Sequence, residues 1–210
     1  MKRYLVLAGN IGAGKSTLVE LLCRRWGWTP YYEPVAENPY LKDFYADMER
    51  WAFHSQIFFL MHRARSHHQL ALESGSVVQD RSLYEDAEVF ARNLFLKKRI
   101  GHRDYAVYQE LYEVLSSLLP RPDLVVYLKA SVPTLKRRIL QRDRAFEVTI
   151  SEDYLYGLNL LYEQWIGGFT LAPILTVDAD RTDVLDRPED LEALVARVGK
   201  ALGGGQGTLF

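Results

Sequence analysis

Residues 9 to 17 read Gly9-Asn10-Ile11-Gly12-Ala13-Gly14-Lys15-Ser16-Thr17, an order of residue types suited to holding a phosphate chain. Glycines at 9, 12 and 14 let backbone N–H groups converge on phosphate oxygens with no Cβ in the way. Lys15 is placed to reach the β- and γ-phosphates of a nucleoside triphosphate, and the Ser16 hydroxyl to ligate Mg²⁺. Further along stand other groups that phosphoryl chemistry uses. Glu33, in Glu33-Pro34-Val35, is a carboxylate that could take a proton from an attacking hydroxyl, or simply a loop glutamate in solvent. In Asp80-Arg81-Ser82 the aspartate could hold Mg²⁺ through water and the arginine could lie on phosphate or on the attacked oxygen; an ion pair at a helix start fits the same residues. Arg138, Arg142 and Arg144 suit an arginine-bearing lid over a triphosphate, although cations also favour helix C-termini. Gln56 and Arg63 lie seven apart on an aromatic-rich helix, where a glutamine can pair with the edge of a base. Asp86 could pair with Arg63 across the cleft.

These residues need elements to hold them. Tyr4 to Ala8 is short, apolar and unbroken, as a buried parallel strand should be, and helical spacing begins at Ser16. The loop therefore falls between a strand and a helix, the setting its chemistry requires. Further strands are expected at Trp28 to Glu33, Ser76 to Asp80, Leu124 to Leu128 and Ile174 to Val177. Helices are expected over about 50–74, 82–99, 104–119, 131–142 and 152–166, with a last one from Pro188. This alternation predicts an α/β fold, a five-stranded parallel sheet flanked by helices. Ligands then sit beyond the carboxyl ends of the strands, where Gly9, Glu33 and Asp80-Arg81 fall.

With 210 residues, 25% charged and a net charge of −1, the chain offers no global field for nucleic acid or an anionic membrane. We expect one domain over 1–202 and a flexible tail over 203–210. No stretch approaches a membrane span or a signal peptide, and a lone Cys23 suits a reducing, cytoplasmic setting.

Taken together, these stretches resemble the deoxyribonucleoside kinase family. The resemblance rests on the phosphate loop, Glu33-Pro34-Val35, Tyr45 with Glu49-Arg50-Trp51-x-Phe53-x-x-Gln56, Asp80-Arg81-Ser82-Leu83-Tyr84-x-Asp86, and Arg138 to Glu147. They occur in family order over roughly 1–180. Asn38-Pro39-Tyr40-Leu41, Phe58-Phe59-Leu60 and Tyr162-Glu163-x-Trp165-Ile166-x-Gly168-Phe169 look closest to bacterial deoxyadenosine/deoxycytidine and deoxyguanosine kinases.

The resemblance implies a P-loop kinase fold and ATP-dependent phosphorylation of a deoxynucleoside 5′-hydroxyl, with Mg²⁺. Glu33 would be the base, with Arg81 and Lys15 on the reacting oxygens and phosphates. Tyr45 and Glu147 would bind the sugar 3′-hydroxyl. Gln56 would read the base, with Arg63 and Asp86 as a paired second reader. Ser16 and Asp80, which stands where many relatives carry a glutamate, would serve the metal. Family dimers imply a homodimer. Deoxyadenosine is the expected substrate, deoxycytidine a second, and deoxyguanosine the main rival. A nucleoside monophosphate kinase such as thymidylate kinase shares the loop and basic lid, but Glu33 and Glu147 put negative charge where its acceptor phosphate would sit. A slow nucleotide-hydrolysing switch would want a water-positioning glutamine, and none is identifiable.

Overall fold

The computed structural model describes residues 2–33, 37–142, 144 and 147–203. Pro34 and Val35 of the Glu33 loop, Asp143, and the tail beyond 203 lie outside the described residues.

Strand β1 (Tyr4–Gly9) is buried along its whole length, which an apolar run with no polar alternation requires. Four more strands join it: β2 (Thr29–Tyr31), β3 (Val77–Asp80), β4 (Leu124–Lys129) and β5 (Ile174–Asp178). Their order is β2-β3-β1-β4-β5 and every pairing is parallel. The register sets Leu7 beside Asp80 and Gly9 beside Leu128, so the three central strands end together. The expected parallel sheet is what forms. Strand β2 is shorter than Trp28 to Glu33; it lies at the sheet edge, and Tyr32 and Glu33 leave the ladder to reach the site.

Helix α1 (Lys15–Trp26) packs on β1, β2 and β3. It starts behind Gly14 and stops at Gly27, whose left-handed φ of 67° closes the last turn. Two helices follow: α2 (Leu41–Ala46), short and absent from the sequence reading, and α3 (Met48–Leu72), whose N-cap Asp47 accepts from the Arg50 amide. The single helix expected over about 82–99 divides instead into α4 (Leu83–Glu85), a π-helical stretch (Asp86–Ala91) and α5 (Arg92–Leu96). A π turn is rare and is characteristic of functional sites.

Helix α6 (His102–Leu118) buries only Tyr108 among its residues while Val107, Leu111, Val114 and Leu118 are exposed. Helices α7 (Val132–Arg142), α8 (Glu152–Gly168) and α9 (Pro188–Gly203) complete the chain. Among the described residues no helix is long and apolar enough to cross a membrane.

Candidate active site

A cavity of about 730 Å³ opens beyond the carboxyl ends of β1, β2 and β3. One end is walled by the loop after β1. Gly9 and Gly12 have φ of 149° and 82°, and a Cβ on either would stand 2.8 Å from a backbone oxygen, that of Leu128 or Leu135. Only glycine fits at both points. Ile11 to Thr17 line the cavity, with the α1 N-terminus facing it.

Gly9 and Asn10 do not line the cavity; they stand behind it. Asn10 donates to the Leu155 carbonyl at 2.9 Å and to Asn159 Oδ1 at 2.8 Å, so its side chain ties the loop to α8. Lys15 Nζ is held by the Gly9 and Asn10 carbonyls at 2.8 and 3.0 Å. Burial, reinforced by the nearby Arg81 cation, lowers its pKa to about 8.

Asp80 ends β3 opposite this loop, and Ser16 Oγ donates to its Oδ2 at 2.5 Å. Asp80 Oδ1 is buried with no hydrogen-bond partner among the described residues. A carboxylate with a spare oxygen beside a hydroxyl fits Mg²⁺, a hard cation that takes one or two protein oxygens and fills its shell with phosphate and water.

The centre of the cavity is an ion network. Glu33 Oε1 accepts from Arg63 Nη2 at 2.9 Å and from Arg81 Nη1 at 3.0 Å. Burial pushes the Glu33 carboxyl up, but Arg81, Arg63 and Lys15 outweigh it and hold its pKa at about 2. Arg81 has φ of 66°, a left-handed conformation that costs a non-glycine residue about 1–2 kcal/mol. Its neighbours hold it there. The Arg81 amide donates to the Leu7 carbonyl at 2.9 Å, and its own carbonyl accepts from Arg63 Nη1 at 3.1 Å. The guanidinium lies 4.1 Å over the Phe90 ring.

Arg63 and Asp86 do pair, with Nε to Oδ2 at 2.7 Å. The expectation that both read a base needs correction on one side. Asp86 lines the cavity, whereas Arg63 stands behind it, its donors spent on Asp86, Glu33 and the Asp80 and Arg81 carbonyls. Spacing along α3 showed which residues share a face, but not that three elements would converge on that guanidinium. Gln56, also on α3, does line the cavity, and its Oε1 is buried with no hydrogen-bond partner among the described residues. Leu41, Phe44, Tyr45, Phe59, Phe90 and Tyr154 complete this apolar end.

The basic segment closes the other side. Arg138 Nη1 donates to the Ala13 carbonyl at 3.1 Å and Nη2 to the Ala179 carbonyl at 2.9 Å, which joins the phosphate loop to the segment after β5. Arg142 pairs with Glu147, and so does Arg144, with Nη1 to Oε1 at 3.2 Å. Arg138, Arg142, Arg144 and Glu147 all line the cavity.

One buried group was missed. Glu85 is fully buried, and Oε1 accepts from the Gly9 amide at 3.1 Å and from the Tyr162 hydroxyl at 2.8 Å. Its Oε2 accepts from the Ser82 amide at 2.9 Å. The Ser82-x-x-Glu85 spacing is a capping box, and that signal could have singled it out.

A strand-to-helix phosphate loop, a metal-suited carboxylate and a buried acidic–basic cluster at one end of a parallel sheet define a P-loop phosphotransferase. The comparisons with known proteins specify the kind. The sequence matches the deoxynucleoside kinase family over residues 5–202. It is 36% identical over 200 residues to a deoxyadenosine/deoxycytidine kinase of Bacillus subtilis, covering 94% of this chain and 92% of that protein. It is 34% identical over 202 residues to a deoxyguanosine kinase of the same organism, covering 93% and 95%. The fold superposes on a deoxyadenosine kinase from M. mycoides with bound dATP at a TM-score of 0.83 and 29% identity, covering 93% of this chain and 99% of that one. The chain belongs to the deoxynucleoside kinase family, and its fold is that of the P-loop kinases.

Proposed function

We propose that this enzyme transfers the ATP γ-phosphoryl group to the 5′-oxygen of deoxyadenosine, with deoxycytidine as a second substrate, in nucleotide salvage. The observation that carries the acceptor side is Gln56, which lines the cavity at its apolar end and whose buried Oε1 has no hydrogen-bond partner among the described residues. A glutamine amide offers one donor and one acceptor, which satisfies adenine at N6 and an adjacent ring nitrogen, or cytosine at N4 and N3. Deoxyadenosine and deoxycytidine are also what the Bacillus subtilis relative is named for. Deoxyguanosine is the second reading: a flipped amide serves its edge, and relatives named deoxyguanosine kinase match over most of the chain.

The chain's own groups would act as follows. Gly12, Gly14, Lys15, Ser16 and Thr17 cradle the phosphates, with Arg138, Arg142 and Arg144 closing over them. Glu33 accepts the 5′-hydroxyl proton as the new O–P bond forms and the bond to the β-phosphate oxygen breaks, leaving ADP. In a loose transition state the proton leaves late, so a base held at about 2 by its arginines suffices. Arg81 neutralises charge on the transferred group. Tyr45 and Glu147 bind the 3′-hydroxyl, and Asp86, held by Arg63, faces the base. Ser16 and Asp80 would hold Mg²⁺, which would supply charge neutralisation for the phosphates. Arg142 and Arg144 must then exchange Glu147 for phosphate oxygens as ATP and nucleoside arrive.

The functional unit in this reading is a cytoplasmic homodimer of one kinase domain, with the apolar row of Val107, Leu111, Val114 and Leu118 on α6 supplying the contact. Sedimentation should give twice the monomer mass, and Leu111→Glu should halve it. The acceptor is tested by kcat/KM with ATP on deoxyadenosine, deoxycytidine, deoxyguanosine, thymidine and thymidine monophosphate. Highest efficiency on deoxyadenosine or deoxycytidine is expected. A lead for deoxyguanosine would overturn the reading of Gln56, and reaction of the monophosphate alone would overturn the acceptor side entirely.

A further inference from the structure

We infer that Glu85 is a positioning residue, a single buried carboxylate that aligns the phosphate loop with the Arg81 turn and so sets the in-line geometry of transfer. The inference rests on the roles proposed above for the phosphate loop and Arg81. Glu85 touches neither the cavity nor, by its placement, any substrate. Its two oxygens face opposite halves of the reaction. Oε1 holds the Gly9 amide, where β1 turns into the phosphate loop; Oε2 holds the Ser82 amide, the residue after the strained Arg81.

Among the described residues, every group within hydrogen-bond or ion-pair distance of this carboxylate is a donor. Besides those two amides there are the Ser82 hydroxyl at 3.3 Å, the Tyr162 hydroxyl at 2.8 Å and Arg81 Nε at 3.9 Å. Arg81 Nε has no hydrogen-bond partner among the described residues, and the Glu85 carboxylate 3.9 Å away is the anion beside it, while Nη1 goes to Glu33. Burial raises the Glu85 pKa above the usual carboxylate range, and the Arg81 and Lys15 cations with the Ser82 and Gly9 amides pull it back toward the ionised form that an all-donor surrounding suits. Helix capping alone would need only the Ser82 contacts; the bonds to Gly9 and Tyr162 have no part in a cap.

The hydroxyl of Tyr162 adds a second link. It lies 2.8 Å from both Glu85 Oε1 and the Gly9 carbonyl, with one proton to give. The same carbonyl holds Lys15 Nζ. When Lys15 moves to the phosphates, the Tyr162 proton can turn to that carbonyl, and Glu85 still keeps the Gly9 amide. The loop therefore keeps its shape as its lysine changes partner.

Glu85→Gln tests this, because an amide must place –NH₂ against donors on at least one side. We expect kcat to fall between about ten- and a hundred-fold with KM for ATP and for deoxynucleoside each within about threefold, since misalignment costs rate rather than ground-state binding. Tyr162→Phe should lower kcat several-fold, and the double variant should be no slower than Glu85→Gln alone. Full kcat in a folded Glu85→Gln protein, even with a lower Tm, would make the role structural and overturn the inference. A change confined to KM would overturn it as well. If Glu85→Gln does not fold, Tyr162→Phe decides by the same split between kcat and KM. Arg81→Lys separates the two levels of the argument. A slow Arg81→Lys enzyme beside normal Glu85→Gln and Tyr162→Phe enzymes sinks only the positioning role, whereas a fast one sinks the reading of Arg81 and this inference together.

Discussion

Replacing Glu33 by glutamine removes the proton acceptor while keeping the shape of the site. In the wild type, Glu33 Oε1 alone receives both Arg63 Nη2, at 2.9 Å, and Arg81 Nη1, at 3.0 Å. A glutamine carbonyl oxygen can take both bonds, so the two guanidiniums keep their positions. What disappears is one negative charge between two buried cations, and with it the basic oxygen. Loss of general-base catalysis is worth roughly 10²–10⁴ in kcat, or about 3–5 kcal/mol of barrier. Stability changes in the same direction. A carboxyl at about 2 against an ordinary 4.5 is stabilised by about 3 kcal/mol at neutral pH, and the retained hydrogen bonds reduce what glutamine loses to less than that. Since the pKa is depressed on folding, this contribution is complete above about pH 4.5 and fades as pH falls toward 2. The assay is steady-state ADP production at saturating ATP and nucleoside, at a temperature where circular dichroism shows the variant folded. ATP affinity should change little, because among the described residues Glu33 makes no hydrogen bond to the phosphate loop and acts on Lys15 through its charge alone. Turnover within threefold of wild type would remove Glu33 from the mechanism.

Three other outcomes follow from the same site and core. With the Lys15 ammonium at about 8, ATP should bind free enzyme progressively more weakly as pH rises above 8, by up to about tenfold per pH unit, whereas a flat Kd between pH 7 and 9.5 would deny Lys15 a phosphate contact. Asp80→Asn should raise the Mg²⁺ concentration needed for half-maximal rate at least about tenfold; an unchanged requirement would place the metal elsewhere. His67 is buried against Tyr4, and burial holds its imidazole at about 4, so folding favours the neutral ring. Stability from this group is complete above about pH 6.5 and falls by as much as about 3 kcal/mol toward pH 4; urea titrations of His67→Gln should lack that step, and an identical pH dependence would refute it.

The strands and their carboxyl ends were legible because an unbroken apolar run such as Tyr4 to Ala8 has one stable setting, and because glycines at 9, 12 and 14 before Lys15 serve little but a phosphate chain. Chemistry-bearing residues at strand ends were legible for the same reason: a parallel sheet brings those ends together. Helix α2 was not, since six residues held by Leu41 and Phe44 against the core carry too few turns to show a period. The π-helical stretch was not, because its apolar residues still read as ordinary helical spacing. Arg63 reads from the sequence as a ligand contact paired with Asp86; only the fold shows Glu33 and the Asp80 and Arg81 carbonyls arriving at its other donors. Glu85 was not singled out: the Ser82-x-x-Glu85 spacing signals a cap at most, and its bonds to Gly9 and Tyr162 join residues 76 and 77 positions apart, a distance that local spacing does not report.

The central claim is in-line transfer to a nucleoside 5′-hydroxyl, and acceptor dependence tests it most directly. ADP formation would be followed with ATP and Mg²⁺ alone, with deoxyadenosine, and with 2′,5′-dideoxyadenosine, which lacks the accepting oxygen. The account predicts one 5′-monophosphate per ADP with deoxyadenosine and near-background ADP in the other two. ADP released at the same rate without an acceptor, or with the dideoxy analogue, would contradict it.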